Sequence, residues 1–438
     1  MSGFIAIVGR PNVGKSTLFN RLVEARDAIV DDQSGVTRDR HYGQADWNGM
    51  EFTVIDTGGY VESTEDLFEK EIKKQVHIAL DEADVIIFMA DVRTGITDQD
   101  DAFVQVLRGV KKPVVVAANK ADNSDLIYQT AEFYSFGFED VFPLSSVTGS
   151  GTGELLDRAV ELLGNTDRKS SDLFEEGLPK FAVLGKPNVG KSTFVNALLG
   201  EERNIVADIP GTTRDSIHTL YNKFGKKFYL IDTAGIRKKS SVNEDVEFYS
   251  VMRAIRALEY SDAAFIIIDA LEGITSQDLN IISLALRRKK GLVILINKWD
   301  QVKKETNTMR DYEQELKSKL APFTDVAVIF TSALEKTRIL QALDRGIEVY
   351  ENLTRRISTS KLNEWLEETM KKHPVPSYGG RHVKIKYMTQ LPPKTPVFAF
   401  FCNMPNFVVD SYRRYLENEL RKAYDFTGVP VKFAFKKK

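Results

Sequence analysis

Short apolar runs alternate with amphipathic stretches along most of the chain. FIAIVG (4–9), FTVID (52–56), VIIFMAD (85–91) and PVVVAANK (113–120) come first. KFAVLG (180–185), FYLIDT (228–233), AFIIIDA (264–270) and LVILINK (292–298) follow in the same order. The runs are rich in Val and Ile and lack strict alternation, the pattern of strands buried on both faces of a parallel sheet. The stretches between them, such as Leu18 to Ala25 and Leu155 to Leu163, carry helical spacing. Strand–helix alternation predicts a doubly wound α/β fold.

The pattern occurs twice. GRPNVGKST opens at Gly9 and GKPNVGKST at Gly185, 176 residues apart, and the same offset relates the TRD triplets at Thr37 and Thr213 and the aspartates Asp56 and Asp232. The NKxD tetrads at Asn119 and Asn297 are 178 apart. A period of this size is a whole domain rather than a solenoid unit. The organisation read from it is a first α/β domain over 1–164, a polar exposed linker over 165–177 (NTDRKSSDLFEEG), a second α/β domain over 178–354 and a different third domain over 355–438.

Composition narrows the class. The 438 residues are 42% hydrophobic and 28% charged, ordinary for a globular protein. One cysteine, Cys402, excludes an internal disulfide and fits a reducing cytoplasm. The opening MSGFIAIVGR lacks the basic start and long apolar core of a signal peptide, and no apolar run approaches the roughly 20 residues of a membrane helix. The five histidines show no ligand spacing. The net charge of −2 argues against a strongly basic nucleic-acid binder, but it conceals opposed parts. Residues 351–438 hold 17 Lys and Arg against 8 Asp and Glu, a surplus of +9, which leaves −11 for residues 1–350.

The repeated motifs carry phosphate chemistry. Gly9-Arg10-Pro11-Asn12-Val13-Gly14-Lys15-Ser16-Thr17 and Gly185-Lys186-Pro187-Asn188-Val189-Gly190-Lys191-Ser192-Thr193 both fit GxxxxGK[ST]. Such a loop turns its amides around phosphate oxygens at the positive end of the next helix. Lys15 and Lys191 would reach the β- and γ-phosphates, and the Ser16 and Ser192 hydroxyls would ligate Mg²⁺. Asp56-Thr57-Gly58-Gly59 and Asp232-Thr233-Ala234-Gly235 end strand runs. There Asp56 and Asp232 can hold Mg²⁺, and the amides of Gly59 and Gly235 can meet a γ-phosphate. Asn119-Lys120-Ala121-Asp122 and Asn297-Lys298-Trp299-Asp300 each follow a buried strand run. An aspartate at that point accepts two hydrogen bonds from guanine, and adenine offers no such donor pair. A site built around hydrogen bonds discriminates by roughly 10⁴. The expected ligand is GTP or GDP.

On these motifs the chain resembles the EngA/Der family, bacterial tandem GTPases of large-subunit ribosome assembly, over essentially its whole length. The resemblance implies that Thr37 and Thr213 complete Mg²⁺ coordination. It also implies that Ser145-Ser146 and Ser332-Ala333 form a fifth motif whose backbone amide reads guanine O6, the first copy departing from the usual Ser-Ala pair. The glutamine that orients water in many GTPases is replaced by Tyr60 and Ile236. Related GTPases with a phosphate-loop asparagine use K⁺ beside the phosphates, so Asn12 and Asn188 are expected to join Lys15, Thr37, Lys191 and Thr213 in catalysis. The same asparagines also read as simple loop formers.

The third domain orders its elements α-β-β-α-β, from KLNEWLEETMKK through HVKIKYM and VFAFFCN to a helix over 408–424 and VPVKFAF. This α+β order is similar to a KH-like domain, although the nucleic-acid-clamping GxxG loop of KH modules does not occur. Val383, Ile385 and Tyr387 alternate with Lys384 and Lys386 as in a half-exposed strand, and Phe398, Phe400, Phe401 and Tyr412 read as core. Lys384, Lys386, Arg413, Arg414, Arg421, Lys422 and Lys436–Lys438 read equally as a phosphate-binding footprint or as a solvated face. The family implies a cytoplasmic factor, monomeric off the ribosome, that acts with the 50S subunit and its rRNA. Two further classes stand beside it. A signalling switch would bind protein effectors without RNA, and a nucleotide-metabolising enzyme would need an acceptor site that the sequence does not show.

Overall fold

The computed structural model describes residues 3–30, 42–57, 76–77, 79–171, 174–175, 177–199, 218–231, 246–303, 307–377, 382–392 and 395–437, with the side chains of 24–30, 165–171 and 246–252 not described. It divides into two compact units, 1–175 and 176–438.

The first unit holds a six-stranded sheet: β1 (Gly3–Val8), β2 (Tyr42–Trp47), β3 (Met50–Asp56), β4 (Val85–Asp91), β5 (Val114–Asn119) and β6 (Asp140–Leu144), in the order β2-β3-β1-β4-β5-β6. All pairings are parallel except the β2–β3 hairpin. Every residue of β1 and β4 is buried, as strands covered on both faces require. The strand order reverses at β1, which lies between β3 and β4. In open α/β sheets the crevice outside the carboxyl end of such a strand is where ligands bind. The glycine loop leaves β1 there and runs into helix Lys15–Val30.

The second unit repeats this sheet with β7 (Lys180–Leu184), β8 (Thr219–Lys223), β9 (Lys226–Ile231), β10 (Ala263–Asp269), β11 (Gly291–Asn297) and β12 (Ala327–Phe330). Its order β8-β9-β7-β10-β11-β12 places β7 at the reversal. The expected doubly wound α/β fold is present in both copies. Each has a core of its own, centred on Ile5, Ile7, Val54, Ile87 and Val115 in one and on Phe181, Phe228, Phe265, Val293 and Leu295 in the other.

The helix that opens at Thr152 continues to Ser171, through the first seven residues of the stretch read as linker. Low hydrophobicity suggested a linker, but no glycine or proline occurs between 165 and 171 to stop the helix.

The third domain has the expected order: helix Thr359–Lys372, β13 (Ile385–Gln390), β14 (Val397–Cys402), helix Asp410–Ala423 and β15 (Lys432–Lys437). β14 pairs antiparallel with β13 and parallel with β15. Phe398, Phe400, Cys402, Tyr412 and Leu416 form its core. Two expectations are corrected. An irregularity between Ile385 and Tyr387 shifts the strand by one position, so Met388 is buried in place of Tyr387. A one-residue shift exchanges the faces of a strand. Tyr387 and Phe401 instead stack on each other, centroids 4.5 Å apart, and Phe401 is only half-buried. The glycines at 379 and 380 lie outside the described residues.

Within the second unit the third domain is fixed to the second α/β domain through the turn before β15. Leu292 at the start of β11 donates its N–H to Gly428 O (2.7 Å), and Gly428 donates to Asp325 O (2.9 Å). Arg421 donates to Asp325 Oδ2 (3.0 Å), Phe426 O and Val429 O, and Val429 joins the core of the neighbouring domain. Arg421 is thereby withdrawn from the basic footprint, because its donors are engaged inside the protein. This junction lies at the amino end of β11, the end opposite Asn297 and the NKxD motif.

Candidate functional site

The two glycine loops adopt the same conformation. Asn12 and Asn188 both have φ +64°, left-handed backbone that asparagine tolerates better than most residues. Gly14 and Gly190 sit at φ +104° and +98°. A Cβ on either would come within 2.3 Å of the NKxD asparagine, Asn119 or Asn297, so only glycine fits. Exposure repeats as well. Pro11, Asn12, Ser16 and Thr17 are exposed with Val13 buried, and Pro187, Asn188, Ser192 and Thr193 are exposed with Val189 buried.

The loop lysines fold back onto their own loops. Lys15 Nζ donates to Arg10 O (2.8 Å), and Lys191 Nζ donates to Gly185 O (2.8 Å) and to Lys186 O. Burial lowers both pKa values from the ordinary 10.5 to about 8, opposed at Lys15 by the nearby Asp56 carboxylate. Ser16 Oγ donates to Asp56 Oδ2 at 2.7 Å, and Asp56 is almost fully buried at the end of β3. A hydroxyl and a carboxylate in this relation are the hard oxygen donors that Mg²⁺ takes. The residues therefore fit the ion. Thr57 uses its hydroxyl on Ile7 O (2.9 Å), fastening the end of β3 to β1.

At the base end, Asn119 links three segments. Its Nδ2 donates to Val13 O (2.7 Å), and its Oδ1 accepts from the Ser146 amide (2.8 Å) and hydroxyl (3.0 Å). Asn297 does the same with Val189 O (2.8 Å), the Ala333 amide (2.9 Å) and the Thr331 hydroxyl (3.4 Å). The asparagine thus ties the phosphate loop to the fifth motif. Ser145 and Ser332 are buried and accept from the amides of Thr148 (3.3 Å) and Glu335 (3.1 Å), shaping that turn. Lys120 has φ +67° and reaches Asn12 O (2.9 Å) and Asp91 Oδ2 (2.6 Å). Lys298 has φ +63° and pairs with Asp269 (2.6 Å). A hydrogen bond from Ser145, then the Arg93 guanidinium 2.5 Å away, hold the Asp122 carboxyl below its usual range. Asp300 follows in the short 3₁₀ turn Trp299–Gln301, whose Trp299 is buried.

Thr37, Gly58, Gly59, Thr213, Asp232, Thr233, Ala234 and Gly235, with Tyr60 and Ile236, lie outside the described residues. The structure thus brings together, in each copy, the glycine loop, the NKxD tetrad and the fifth motif, and adds Asp56 in the first. Sequence reading missed Asp91 and Asp269, which hold the NKxD lysines, and Asp100 and Asp278, which meet Arg10 and Lys186. Both pairs recur at the 178-residue offset of the NKxD tetrads, and that was the available signal.

A glycine loop at the strand reversal of a doubly wound sheet, tied to an NKxD tetrad, defines a P-loop GTPase. Two stretches, 4–120 and 180–298, match a family described as 50S ribosome-binding GTPase. Residues 356–436 match the KH-domain-like C-terminal domain of EngA bacterial GTPase enzymes. The chain is 52% identical to the GTPase Der of Christiangramia forsetii over 438 residues and 53% identical to that of Flavobacterium psychrophilum, covering all of both chains in each case. Among solved structures it is similar to the G domain of the T. maritima FeoB iron transporter, 27% identical over 37% of this chain and 99% of that one, with a TM-score of 0.28. The chain belongs to the EngA/Der family of GTPases, and its reaction is the hydrolysis of GTP.

Proposed function

We propose that both α/β domains bind and hydrolyse GTP and that the chain acts in the cytoplasm, as a monomer off the ribosome, in late assembly or stability of the 50S subunit. The duplicated bond from the NKxD asparagine to the phosphate loop carries the two-site reading. A ligand spanning base and phosphate accounts for the recurrence of Asn119–Val13 and Asn297–Val189 at 2.7 and 2.8 Å. The domains are taken as 1–164, 178–354 and 355–438.

In this reading Lys15 and Lys191 exchange their loop carbonyls for phosphate oxygens, and the loop amides cradle the same groups. Asp122 and Asp300 accept from guanine N1–H and N2–H₂, and the amides of Ser146 and Ala333 turn from their asparagine oxygens to guanine O6. Ser16, Thr37 and Asp56, with Ser192, Thr213 and Asp232, would hold Mg²⁺, which supplies neutralisation of charge on the β- and γ-oxygens. Asn12 and Asn188, exposed on the loop, would present oxygen to a potassium ion beside them.

The 50S target is supported by the description of the matching family model and by the basic surplus after residue 350. Its test is sedimentation of the full chain with ribosomal subunits in GTP, GDP and a non-hydrolysable GTP analogue, across a salt series. Nucleotide-dependent co-sedimentation with 50S that weakens steeply with salt supports it, because contacts with RNA phosphate release counterions. No association with 50S at low salt in any nucleotide state favours a switch that binds protein effectors without RNA.

A further inference from the structure

Behind each phosphate loop lies a sealed carboxylate. Asp100 stands in the first turn of helix Asp98–Arg108 and is 0% exposed. Its Oδ2 accepts from the Thr97 amide (3.0 Å) and hydroxyl (2.7 Å) and meets Arg10 Nε at 3.1 Å. Asp278 stands at the same place in helix Ser276–Arg287 and is also 0% exposed. It accepts from the Thr275 amide (3.0 Å) and hydroxyl (2.7 Å) and lies 3.6 Å from Lys186 Nζ. In both residues the second oxygen, Oδ1, is buried without a hydrogen-bond partner.

Helix capping alone does not explain this burial. A capping box has no need of a buried charge, and a buried anion is unfavourable unless a cation is held against it. Each copy supplies that cation from the second residue of its own phosphate loop. The cation differs, a guanidinium at Arg10 and an ammonium at Lys186, while the aspartate is kept. The loop cations are held from a second side as well, Arg10 by Thr94 Oγ1 and Lys186 by Glu272 (2.7 Å). The carbonyls of these same two residues accept from the loop lysines, Lys15 and Lys191. A continuous chain therefore runs from buried carboxylate to loop cation, to that residue's carbonyl, and to the loop lysine, which leaves this carbonyl when it takes phosphate.

We propose that Asp100 and Asp278 are positioning residues of the two GTP sites, setting the shape of each phosphate loop through Arg10 and Lys186. The inference rests on the reading that each copy is a GTP site. A shift of about 1 Å in a reacting group costs on the order of 100-fold in rate. Because the loop lysine acts on charge that grows along the reaction, the larger share of the loss falls on kcat rather than KM.

The test uses the full chain with Asp300→Asn, which leaves the first site to GTP. In that background Asp100→Asn keeps an oxygen for both cap bonds and removes the charge. The expected result is a fall in kcat on the order of 100-fold with a smaller change in KM. Arg10→Met should reproduce the fall, and Arg10→Lys should restore most of the rate, since lysine serves in the second copy. Unchanged kcat in a folded Asp100→Asn protein overturns the proposal. So do equal rates for Arg10→Met and Arg10→Lys, which decide the matter even if Asp100→Asn does not fold. Should the Asp300→Asn chain with intact Asp100 bind no GTP, the two-site reading itself fails and the inference falls with it. Asp278→Asn, Lys186→Met and Lys186→Arg in an Asp122→Asn chain repeat the test at the second site.

Discussion

Ser146 donates twice to Asn119 Oδ1, from its amide at 2.8 Å and from its hydroxyl at 3.0 Å. In the second copy alanine replaces this serine, and the hydroxyl comes from Thr331, two residues earlier, at 3.4 Å. The Ser-Ser pair is thus absorbed into the network, its second hydroxyl taking the place that Thr331 fills in the other copy. Ser146→Ala should cost about 1 kcal/mol of stability, the net value of one hydrogen bond, and leave GDP affinity within a few-fold. Asn119→Ala strands Val13 O and the Ser146 amide in the interior, at about 1–3 kcal/mol each, and should weaken GDP binding at the first site by at least about tenfold. Titration with a fluorescent GDP analogue distinguishes the two variants. Equal affinities would remove the bridging role of Asn119.

The loop lysines predict a pH dependence. Burial sets Lys15 and Lys191 at about 8, and the negative phosphates of a bound nucleotide raise them again. A group whose pKa rises on binding favours binding fully below its free value. GDP affinity should therefore be flat below pH 8 and fall as pH rises through it. At pH 8.5 binding should take up protons, read by calorimetry in buffers of different ionisation enthalpy. For folding measured without added nucleotide the sign is opposite. Lysines below their unfolded pKa make stability rise with pH between about 8 and 10.5.

The role proposed for K⁺ can be separated from backbone conformation. Asn12 and Asn188 occupy left-handed backbone, which by itself favours asparagine. Glycine keeps that conformation and removes the side-chain oxygen. GTP turnover at matched ionic strength should be faster in K⁺ than in Na⁺, and the double variant Asn12→Gly, Asn188→Gly should lose the difference. Equal turnover of the unsubstituted chain in the two salts would sink the assignment.

Much of the molecule was legible because its chemistry sits in contiguous runs. β1, β4, β7 and β10 are the Val/Ile runs themselves, and each glycine loop, NKxD tetrad and fifth motif lies where its strand ends. What escaped depends on partners far along the chain. Asp100 meets Arg10 across 90 positions, and nothing in either local sequence announces it. Arg421 looked like part of a basic face until Asp325, 96 positions away, engaged it. The shift between Ile385 and Tyr387 breaks a clean alternation through pairing with β14, which only tertiary structure fixes.

Gly428 joins the third domain to the second at φ +76°, and a Cβ there would come within 2.6 Å of Leu292 O and 2.7 Å of Val349 Cγ2. Gly428→Ala should carry about 1–2 kcal/mol of left-handed strain in addition to the collision. Thermal unfolding of the full chain should shift down by several degrees. The same replacement at Gly225, where φ is +70° and nothing lies within 4 Å, carries the strain alone and should shift it less. Equal shifts would mean that the close approach at Gly428 contributes nothing.

The two-site reading is tested most directly by counting GDP bound per chain at saturation, in the unsubstituted protein and with Asp122→Asn or Asp300→Asn. Guanine read by a carboxylate at both sites predicts two GDP per chain. Each single variant should bind one GDP and take a xanthosine nucleotide at the altered site. One GDP per chain in the unsubstituted protein, or two in both variants, would contradict it.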